Sequence, residues 1–443
     1  MIKKILVIGA GRSAVTLIKY LLDNSLENNW HVRVADFSEE LAKKAVIDNS
    51  NGSAIFFNVF DDNQRVFEIS NSDIIISMLP AKMHIIVAKD CVRLKKDLVT
   101  ASYVSNDIAN LDKAAISNGV LLLNEIGVDP GIDHMSAMAV IDKIKEKGGK
   151  LESFKSFCGG LIHPDYDNNP WNYKFTWNPR NVVLAGQGTA IYVEEGSYKY
   201  LPYNKLFERT DIINVLDAGV FEGYANRDSL SYRDAYGLES IPTLYRGTLR
   251  REGYAAAWNI FVQLGLTDDT FRLVNSDSIS NRDFLDMFLP YNKGFSVEEK
   301  ICQQFNLTSD SVIFKKIAWL DMFSNNILGI ENATPAEFLQ AILEKKWNLG
   351  IEDKDMLVMQ HQFVFTLDGQ TKQLNSSLLV YGEGPRYTAM AKTVGLPVAI
   401  ATKLILNGQI KSKGVRIPTT KDIYLPVLKE LSENGIDFIE ELV

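Results

Sequence analysis

The stretch Ile5-Leu-Val-Ile-Gly-Ala-Gly-Arg-Ser-Ala14 decides the fold of this chain. Its apolar start predicts a buried strand, and apolar residues at helical spacing from Val15 onward predict a helix directly after it. Between them stands the pattern G-x-G-x-x-A, in which the first glycine permits a tight turn and the second lets backbone approach a pyrophosphate. In this context the pattern predicts a Rossmann domain that binds a dinucleotide through Gly9, Ala10, Gly11, Arg12, Ser13 and Ala14.

The second predicted strand ends in Asp36, at the position that reads the adenosine ribose. A carboxylate there accepts hydrogen bonds from the ribose hydroxyls and repels a 2′-phosphate, so it favours NAD over NADP. Arg12 offsets part of that repulsion, so NADP stays possible. The alternative role for Asp36 is to cap the next helix, for which Ser38 is better placed.

Short apolar runs alternate with segments of helical periodicity over the first 130 residues. The runs are 5–8, 32–35, 54–59, 73–78, 97–100 and 120–124. Short continuous apolar strands are typical of a parallel sheet that is covered on both faces. The region 1–130 is therefore predicted to be an α/β domain with a doubly wound parallel sheet.

The rest of the chain has a different texture. A helix is predicted over 132–147 and a strand over 151–158, and residues from about 270 to 345 have helical periodicity. Two long strands, 356–367 and 373–381, are joined through Asp368-Gly369, a strong hairpin signal. This pattern predicts an α+β domain over 131–386 with a mixed sheet and a helical subregion, followed by a segment 387–443 that begins with a long helix.

Composition excludes several classes of protein. A formal net charge of −8 argues against a nucleic-acid partner, because neutralising phosphates needs an excess of basic surface. The most apolar run, 394–406, is interrupted by Gly395, Pro397 and Lys403 and falls short of the ~18 residues of a membrane span. Three cysteines at scattered spacing predict neither a disulfide framework nor a metal site, and they fit a cytoplasmic protein.

Glycine, proline and polar residues follow the predicted strands. In an open parallel sheet, ligands bind outside the carboxyl ends of the strands. The run Asn124-Glu-Ile-Gly-Val-Asp-Pro-Gly131 is the most specific of these strand ends, because neither helix nor strand formation demands it. The strand-end residues predicted to contact the cofactor are Asn58, Val59, Leu79, Thr100, Ala101, Val128, Asp129 and Pro130.

Ordered motifs continue along the chain. They are Val99-Thr-Ala-Ser-Tyr-Val-Ser105, Asn124-Glu-Ile-Gly-Val-Asp-Pro-Gly-Ile-Asp-His134, Ser156-Phe-Cys-Gly-Gly-Leu161, Asn169-Pro170 with Tyr173-Lys-Phe-Thr-Trp177, Asn226-Arg-Asp228, Arg246-Gly-Thr-Leu-Arg250 and Met390-Ala-Lys-Thr-Val-Gly-Leu-Pro397. In these segments the chain resembles the saccharopine dehydrogenase (saccharopine reductase) family. The resemblance runs from residue 1 to about 420 and is weakest between 270 and 350.

The resemblance implies an enzyme of lysine metabolism that acts on the C–N bond of a secondary amine. It implies oxidation of saccharopine by NAD or NADP to an imine, which water converts to glutamate and 2-aminoadipate 6-semialdehyde. It also implies a substrate domain inserted between the Rossmann domain and a C-terminal segment that returns to it. Homodimers are common in the family.

Site residues carry over to matching positions. The resemblance places Ser102, Tyr103, Asp129 and Cys158 at the substrate pocket and leaves the acid/base open among Tyr103, Asp129 and Cys158. It assigns substrate contacts to Arg227, Arg246, Gly247 and Thr248, and guanidinium groups suit the carboxylates of an amino-carboxylate substrate. Lys174 and Arg180 are weaker candidates, and His134 is interpreted as structural.

Two alternatives stay open at the level of the sequence. A related carboxynorspermidine-type dehydrogenase of polyamine synthesis would need acidic pocket residues rather than Arg227 and Arg246. An inactive NAD(H)-binding interaction protein is the other alternative. Pro164-Asp165 and Trp171-Asn172 depart from the family's pattern, so they put the side-chain end of the substrate in doubt.

Overall fold

A computed structural model describes residues 2–47, 49–185 and 187–443. The chain divides into two compact units. Unit 1 comprises the residues through Lys150 together with Leu367–Gln370 and Leu378–Ile439, and unit 2 comprises Leu151–Thr366, Thr371–Ser377 and Glu440–Val443.

The strands and helices follow one another in the order predicted for an α/β domain and then an α+β domain. The strands are β1 Lys3–Ile8, β2 Trp30–Asp36, β3 Gly52–Phe56, β4 Ile74–Ser77, β5 Asp97–Val99, β6 Leu121–Leu123, β7 Lys150–Ile162, β8 Ala190–Glu194, β9 Ser197–Leu201, β10 Asp211–Val215, β11 Gly219–Ala225, β12 Thr243–Arg250, β13 Asp355–Leu367, β14 Gln370–Tyr381, β15 Gly414–Arg416 and β16 Phe438–Leu442. The helices are α1 Val15–Asp23, α2 Ser25–Asn28, α3 Glu39–Ala45, α4 Asp62–Ser70, α5 His84–Leu94, α6 Asn106–Ala109, α7 Asp112–Asn118, α8 Ile132–Glu146, α9 Pro179–Val183, α10 Tyr203–Leu206, α11 Tyr254–Leu264, α12 Asn281–Asp286, α13 Val297–Phe305, α14 Val312–Trp319, α15 Pro335–Trp347, α16 Ala389–Leu406 and α17 Lys421–Glu433.

Unit 1 is built on a parallel sheet in the order β15-β6-β5-β4-β1-β2-β3, which confirms the predicted Rossmann domain. β1 lies between β4 and β2, and its last residue, Ile8, pairs with Ala35 of β2 and Ser77 of β4. The loops that follow these three strands therefore emerge at the same edge of the sheet. β3 ends at Phe56, so Asn58 and Val59 lie in the loop after it rather than in the strand predicted over 54–59.

The C-terminal segment completes unit 1. β15 extends the sheet beside β6, and α16 packs against α1 so closely that a Cβ atom on Gly395 would lie 2.8 Å from the Leu17 backbone nitrogen. α16 is long and apolar enough to cross a membrane by composition, but 67% of it is buried here, as in a core helix.

The first predicted domain boundary lies at residue 130, whereas contacts extend unit 1 through Lys150. The difference arises because α8 packs against α17 of the C-terminal segment. The Tyr424 hydroxyl of α17 donates to the Asp142 carboxylate of α8 at 2.7 Å.

Unit 2 contains the mixed sheet that the sequence predicted. Its strands run in the order β10-β11-β12-β7-β13-β14-β16, with β8 pairing β12 and β9. β12 is parallel to β7 and antiparallel to β11. The turn between β13 and β14 has positive φ at both central residues, Asp368 (53°) and Gly369 (74°), which is the geometry of the predicted hairpin.

Candidate active site

The glycine-rich loop joins β1 to α1 through a single turn of 3-10 helix, Arg12–Ala14. Gly9 has φ of 106°, and a Cβ atom there would lie 2.8 Å from the Met78 carbonyl oxygen, so only glycine fits. At Gly11, a Cβ atom would meet nothing within 4 Å. The backbone at Gly11 is therefore open to a ligand, and Ala14 is buried behind it.

A cleft of about 470 Å³ opens beside this loop. Its lining includes Gly9, Gly11, Asp36, Asn58, Val59 and Leu79 of the predicted cofactor contacts. Phe37, Phe57 and Phe60 also line it, although no sequence motif marks them. An apolar cleft with aromatic walls and one carboxylate suits an adenosine group, which presents a flat base and ribose hydroxyls.

Asp36 has a local role as well as a place in the cleft. Its two carboxylate oxygens accept hydrogen bonds from the Ala10 backbone N–H at 2.7 Å and the Ser38 backbone N–H at 2.8 Å. Ser38, not Asp36, caps α3 by accepting from the Leu41 N–H. Among the described residues that line the cleft, none is Lys or Arg.

The loop after β5 carries Thr100, Ala101, Ser102 and Tyr103. Ser102 Oγ lies 2.6 Å from Nε2 of His84, and Nδ1 of the same ring lies 2.8 Å from Ser77 Oγ. His84 is 1% exposed, and its burial lowers the pKa of the imidazole to about 4, so the ring is neutral at neutral pH. No sequence motif marks this histidine, because its two partners lie elsewhere along the chain.

Tyr103 is 53% exposed and lies between two neighbours that are both held by Glu125. Glu125 Oε1 accepts from the Val104 N–H at 2.9 Å, and the Glu125 N–H donates to the Ser102 carbonyl at 3.0 Å. The other oxygen, Oε2, accepts from Nε2 of the buried His134 at 3.0 Å.

Asp129 lies at the partly exposed end of a tight loop between β6 and α8. The loop closes where the Gly127 N–H donates to the Pro130 carbonyl at 2.9 Å, and the Asp129-Pro130 peptide bond is cis. A Cβ atom on Gly127 would lie 2.9 Å from the Cβ of Ala101. The loops after β5 and β6 therefore pack against each other, and this contact brings the predicted residues Ala101, Val128, Asp129 and Pro130 to one edge of the sheet.

Unit 2 collects its own set of predicted residues on neighbouring strands. Thr248 of β12 pairs in register with Cys158 of β7, and Arg246 lies two residues before Thr248, so the three share one face of the sheet. Gly247 faces the other way, where a Cβ atom would lie 2.8 Å from the Phe157 ring.

Arg246 is 4% exposed, and its guanidinium lies 4.5 Å from the centre of the Tyr232 ring. Thr248 Oγ1 donates to Asn226 Oδ1 at 2.7 Å, which links the motif on β12 to the motif Asn226-Arg-Asp228. Arg227 of that motif is exposed, and its side chain lies beside Gly188. Arg246, Thr248 and Cys158 are thus brought together within unit 2. Arg227 directly follows Asn226, the hydrogen-bond partner of Thr248.

The weaker candidates have carboxylate partners of their own. Lys174 Nζ lies 2.6 Å from Asp353 Oδ2, and both side chains are buried. Arg180 pairs with Asp269. Within the described parts of the chain, no group of three or more His, Cys, Asp or Glu side chains is placed to hold a metal ion.

Trp171, a departure from the family's pattern, is fully buried and packs against Trp258 and Trp347 in the aromatic core of unit 2. Its Nε1 donates to the Lys316 carbonyl at 2.7 Å. The larger side chain therefore serves packing at this position.

Known proteins similar to this chain match both its N-terminal and its C-terminal part. The family domain described as "Saccharopine dehydrogenase NADP binding domain" matches residues 5–123, and the "Saccharopine dehydrogenase C-terminal domain" matches residues 127–436. A solved structure described as apo histidine-tagged saccharopine dehydrogenase (L-Glu forming) from Saccharomyces cerevisiae is similar over 100% of both chains, with a TM-score of 0.90 and 33% identity.

Two kinds of curated relative differ in length. Saccharopine dehydrogenase [NADP(+), L-glutamate-forming] of Saccharomyces cerevisiae is 33% identical over 99% of both chains. Mitochondrial alpha-aminoadipic semialdehyde synthase of Bos taurus is 35% identical over 98% of this chain, which spans 47% of that protein. The names of the domain and of the yeast relative give NADP, so the comparisons do not support the preference for NAD predicted from Asp36. Matches along the entire length, at this identity, show that the chain belongs to the saccharopine dehydrogenase family.

Proposed function

We propose that this protein is a glutamate-forming saccharopine dehydrogenase. In the forward direction, saccharopine, NAD(P)⁺ and water give glutamate, 2-aminoadipate 6-semialdehyde, NAD(P)H and a proton. The observation that carries the proposal is the likeness to fungal relatives named for this activity, at 32–33% identity over 99% of each of them. The predicted site residues keep the residue types that this chemistry needs.

The cleft in unit 1 fits a nicotinamide dinucleotide, because the backbone at Gly11 is open and a helical segment begins directly after it, where unpaired N–H groups favour an anion. When bound, the cofactor supplies a hydride acceptor. Gly9, Gly11 and Asn58 hold the dinucleotide in this proposal, Phe37 or Phe60 packs against its adenine, and Leu79, Thr100, Val128 and Pro130 border its nicotinamide end.

Asp129 is the proposed acid/base. It takes the proton of the secondary amine as the substrate carbon loses hydride and the C=N bond of the imine forms. It returns that proton to the imine nitrogen, takes a proton from the water that adds to the carbon, and passes this second proton to the nitrogen. The C–N bond then breaks and glutamate leaves, while the hydroxyl proton of the intermediate goes to the Asp129 carboxylate and from there to solvent. Ser102 and Tyr103 orient the substrate by hydrogen bonding. Tyr103 is assigned to substrate orientation and a thiol is not required, so Tyr103 and Cys158 are the less suited groups for this proton transfer.

Arg227, Arg246 and Thr248 are the proposed contacts for substrate carboxylates. A buried guanidinium can bind a carboxylate through two parallel hydrogen bonds, which fixes orientation as well as charge. Saccharopine carries three carboxylates, whereas a carboxylated polyamine carries fewer and would not match these cations.

The test of this function is direct. Purified protein with saccharopine and either NAD⁺ or NADP⁺ is expected to release reduced cofactor and free glutamate in equal amounts. Turnover of carboxynorspermidine in place of saccharopine would identify the protein as a dehydrogenase of polyamine synthesis instead. Binding of reduced cofactor without turnover of either substrate would favour the inactive interaction protein.

Arg246→Lys is expected to raise the KM for saccharopine by roughly 10- to 100-fold, because the charge remains but the two-pronged geometry is lost. Cofactor affinity, measured by fluorescence of the bound reduced cofactor, should stay within about twofold. Arg282→Lys is the control, since Arg282 pairs with Glu298 on the helical part of unit 2. Equal loss of cofactor affinity in Arg246→Lys would contradict a substrate role.

Removing the charge of Asp36 tests whether this carboxylate selects between NAD⁺ and NADP⁺. Asp36→Ser removes the carboxylate but keeps an oxygen near the Ala10 N–H, and it is expected to raise the ratio of kcat/KM for NADP⁺ to that for NAD⁺ by about 10-fold or more. The physical reason is the loss of repulsion toward a 2′-phosphate. Arg12→Ala, at an exposed position in the glycine-rich loop, should move the ratio the other way. A ratio that does not change in Asp36→Ser would remove Asp36 from cofactor selection.

A homodimer in the cytoplasm completes the proposal. The homodimer is supported by the family resemblance and by exposed apolar side chains such as Ile212 of the edge strand β10 and Val220 of the neighbouring β11. The cytoplasmic location rests on the three cysteines at scattered spacing. Light scattering of the purified protein would give the mass of the assembly, and a monomer would remove this part of the proposal.

A further inference from the structure

We propose that His84 is a positioning residue that holds the Ser102 hydroxyl, and with it the Ser102–Tyr103 loop, ready for substrate. His84 bridges the ends of two adjacent parallel strands: Nδ1 lies 2.8 Å from Ser77 Oγ and Nε2 lies 2.6 Å from Ser102 Oγ. The inference rests on the proposed function, because it assigns His84 a task only if Ser102 meets the substrate.

The position of His84 suits this task and little else. The ring is 1% exposed, so it cannot itself reach a substrate in solution. Ser77 is fully buried, whereas Ser102 is partly exposed. The three groups therefore form a chain of hydrogen bonds that begins in the core, at the end of β4, and ends at a hydroxyl on the surface of the loop.

The chemistry of the ring couples the hydrogen-bond roles of the two serines. A neutral imidazole has one nitrogen that donates and one that accepts, so the partner on one side fixes which role is left for the other side. Ser77 and Ser102 are thereby given complementary hydrogen-bond roles across the ring. The Ser102 hydroxyl is left with a defined orientation for its remaining donor or acceptor capacity, rather than rotating freely.

His84 also ties the substrate loop to the wall of the cofactor cleft. Ser77 directly precedes Met78, Leu79 and Pro80, which line that cleft, and Met83 of the lining directly precedes His84. The ring is thus anchored to the cofactor wall on one side and to Ser102 on the other. Loss of the ring should therefore raise the KM for saccharopine by more than the accompanying loss of stability would explain.

Two uncharged substitutions of His84 distinguish the hydrogen bond at Nδ1 from the hydrogen bond at Nε2. The amide nitrogen of Asn lies close to where Nδ1 lies in His, and the amide nitrogen of Gln lies close to Nε2. His84→Asn is expected to keep the contact to Ser77, lose the contact to Ser102 and raise the KM for saccharopine by about 10-fold. His84→Gln is expected to retain the contact to Ser102 and to keep that KM within about threefold of the wild type.

A double-mutant cycle with Ser102→Ala tests whether His84 acts through Ser102. If it does, His84→Asn should raise the KM little further in the Ser102→Ala background, although any loss of thermal stability persists. Equal effects of His84→Asn in both backgrounds, or equal KM values for Asn and Gln at position 84, would overturn the inference. If Ser102→Ala leaves the KM unchanged, the substrate role of Ser102 in the proposed function fails instead.

Discussion

Gly131→Ala is expected to abolish saccharopine turnover and to cost on the order of 4 kcal/mol of stability. Gly131 has φ of 147°, and a Cβ atom there would lie 2.1 Å from the Gly127 carbonyl oxygen and 2.2 Å from the Gly127 nitrogen. These are backbone atoms that cannot rotate away, so the whole loop that carries Asp129 must move. Urea unfolding and steady-state kinetics of the purified variant would measure both losses.

Gly119→Ala is the matched control in the same unit. Gly119 also has positive φ, at 68°, but a Cβ atom there would meet nothing within 4 Å. It should cost only about 1 kcal/mol, from backbone strain, and leave the kinetic constants unchanged. Similar stability losses in the two variants would mean that the tight contact between Gly131 and Gly127 is absent in solution.

Asp129→Asn is expected to lower kcat by about 10²- to 10⁴-fold, because the amide has nearly the same shape but cannot take or return a proton. Asp129 is partly exposed, so thermal stability and the affinity for reduced cofactor should change little. Stopped-flow measurement of hydride transfer, with the denaturation midpoint taken alongside, would separate the chemical step from folding.

The other two acid/base candidates provide the comparison. Tyr103→Phe and Cys158→Ser are each expected to reduce kcat by less than Asp129→Asn. If Asp129→Asn kept kcat within about 10-fold while one of the other two lost far more, the proton transfer would belong to that residue. The variants thus decide among three groups that the sequence left open.

The fold was largely predictable because the signals of a Rossmann domain lie within short stretches of sequence. Its strands are short apolar runs, and the glycine loop after β1 has no other common explanation. The hairpin between β13 and β14 was predictable because an Asp-Gly pair favours a turn with positive φ at both residues. Asp368 and Gly369 have that geometry in the structure. β15 was not predicted: Gly414–Arg416 is too short and too polar to carry a signal of its own, and only its neighbour β6 makes it a strand.

The site was less predictable than the fold, because its contacts join residues that are far apart in sequence. His84 and Ser102 are 18 residues apart, and Glu125 holds His134, 9 residues away, as well as Val104, 21 residues away. Thr248 and Cys158 become neighbours only through the register of β12 and β7. The motifs indicated which segments carry function, and the pairing of strands determines which side chains meet.

The late arrival of β15 constrains how the protein is made. The edge of β6 has no strand beside it until residue 414 is synthesised, about 290 residues after β6, which takes roughly 15–60 s at a ribosomal rate of ~5–20 residues per second. During that interval the nascent chain exposes β6, whose three leucines are buried in the complete sheet. The backbone groups on the side of β6 that later pairs with β15 are unpaired, so they can pair with a strand of another chain. Expression of the first 150 residues alone is therefore a poor route to a soluble nucleotide-binding fragment, and slower translation should increase aggregation of the 443-residue chain.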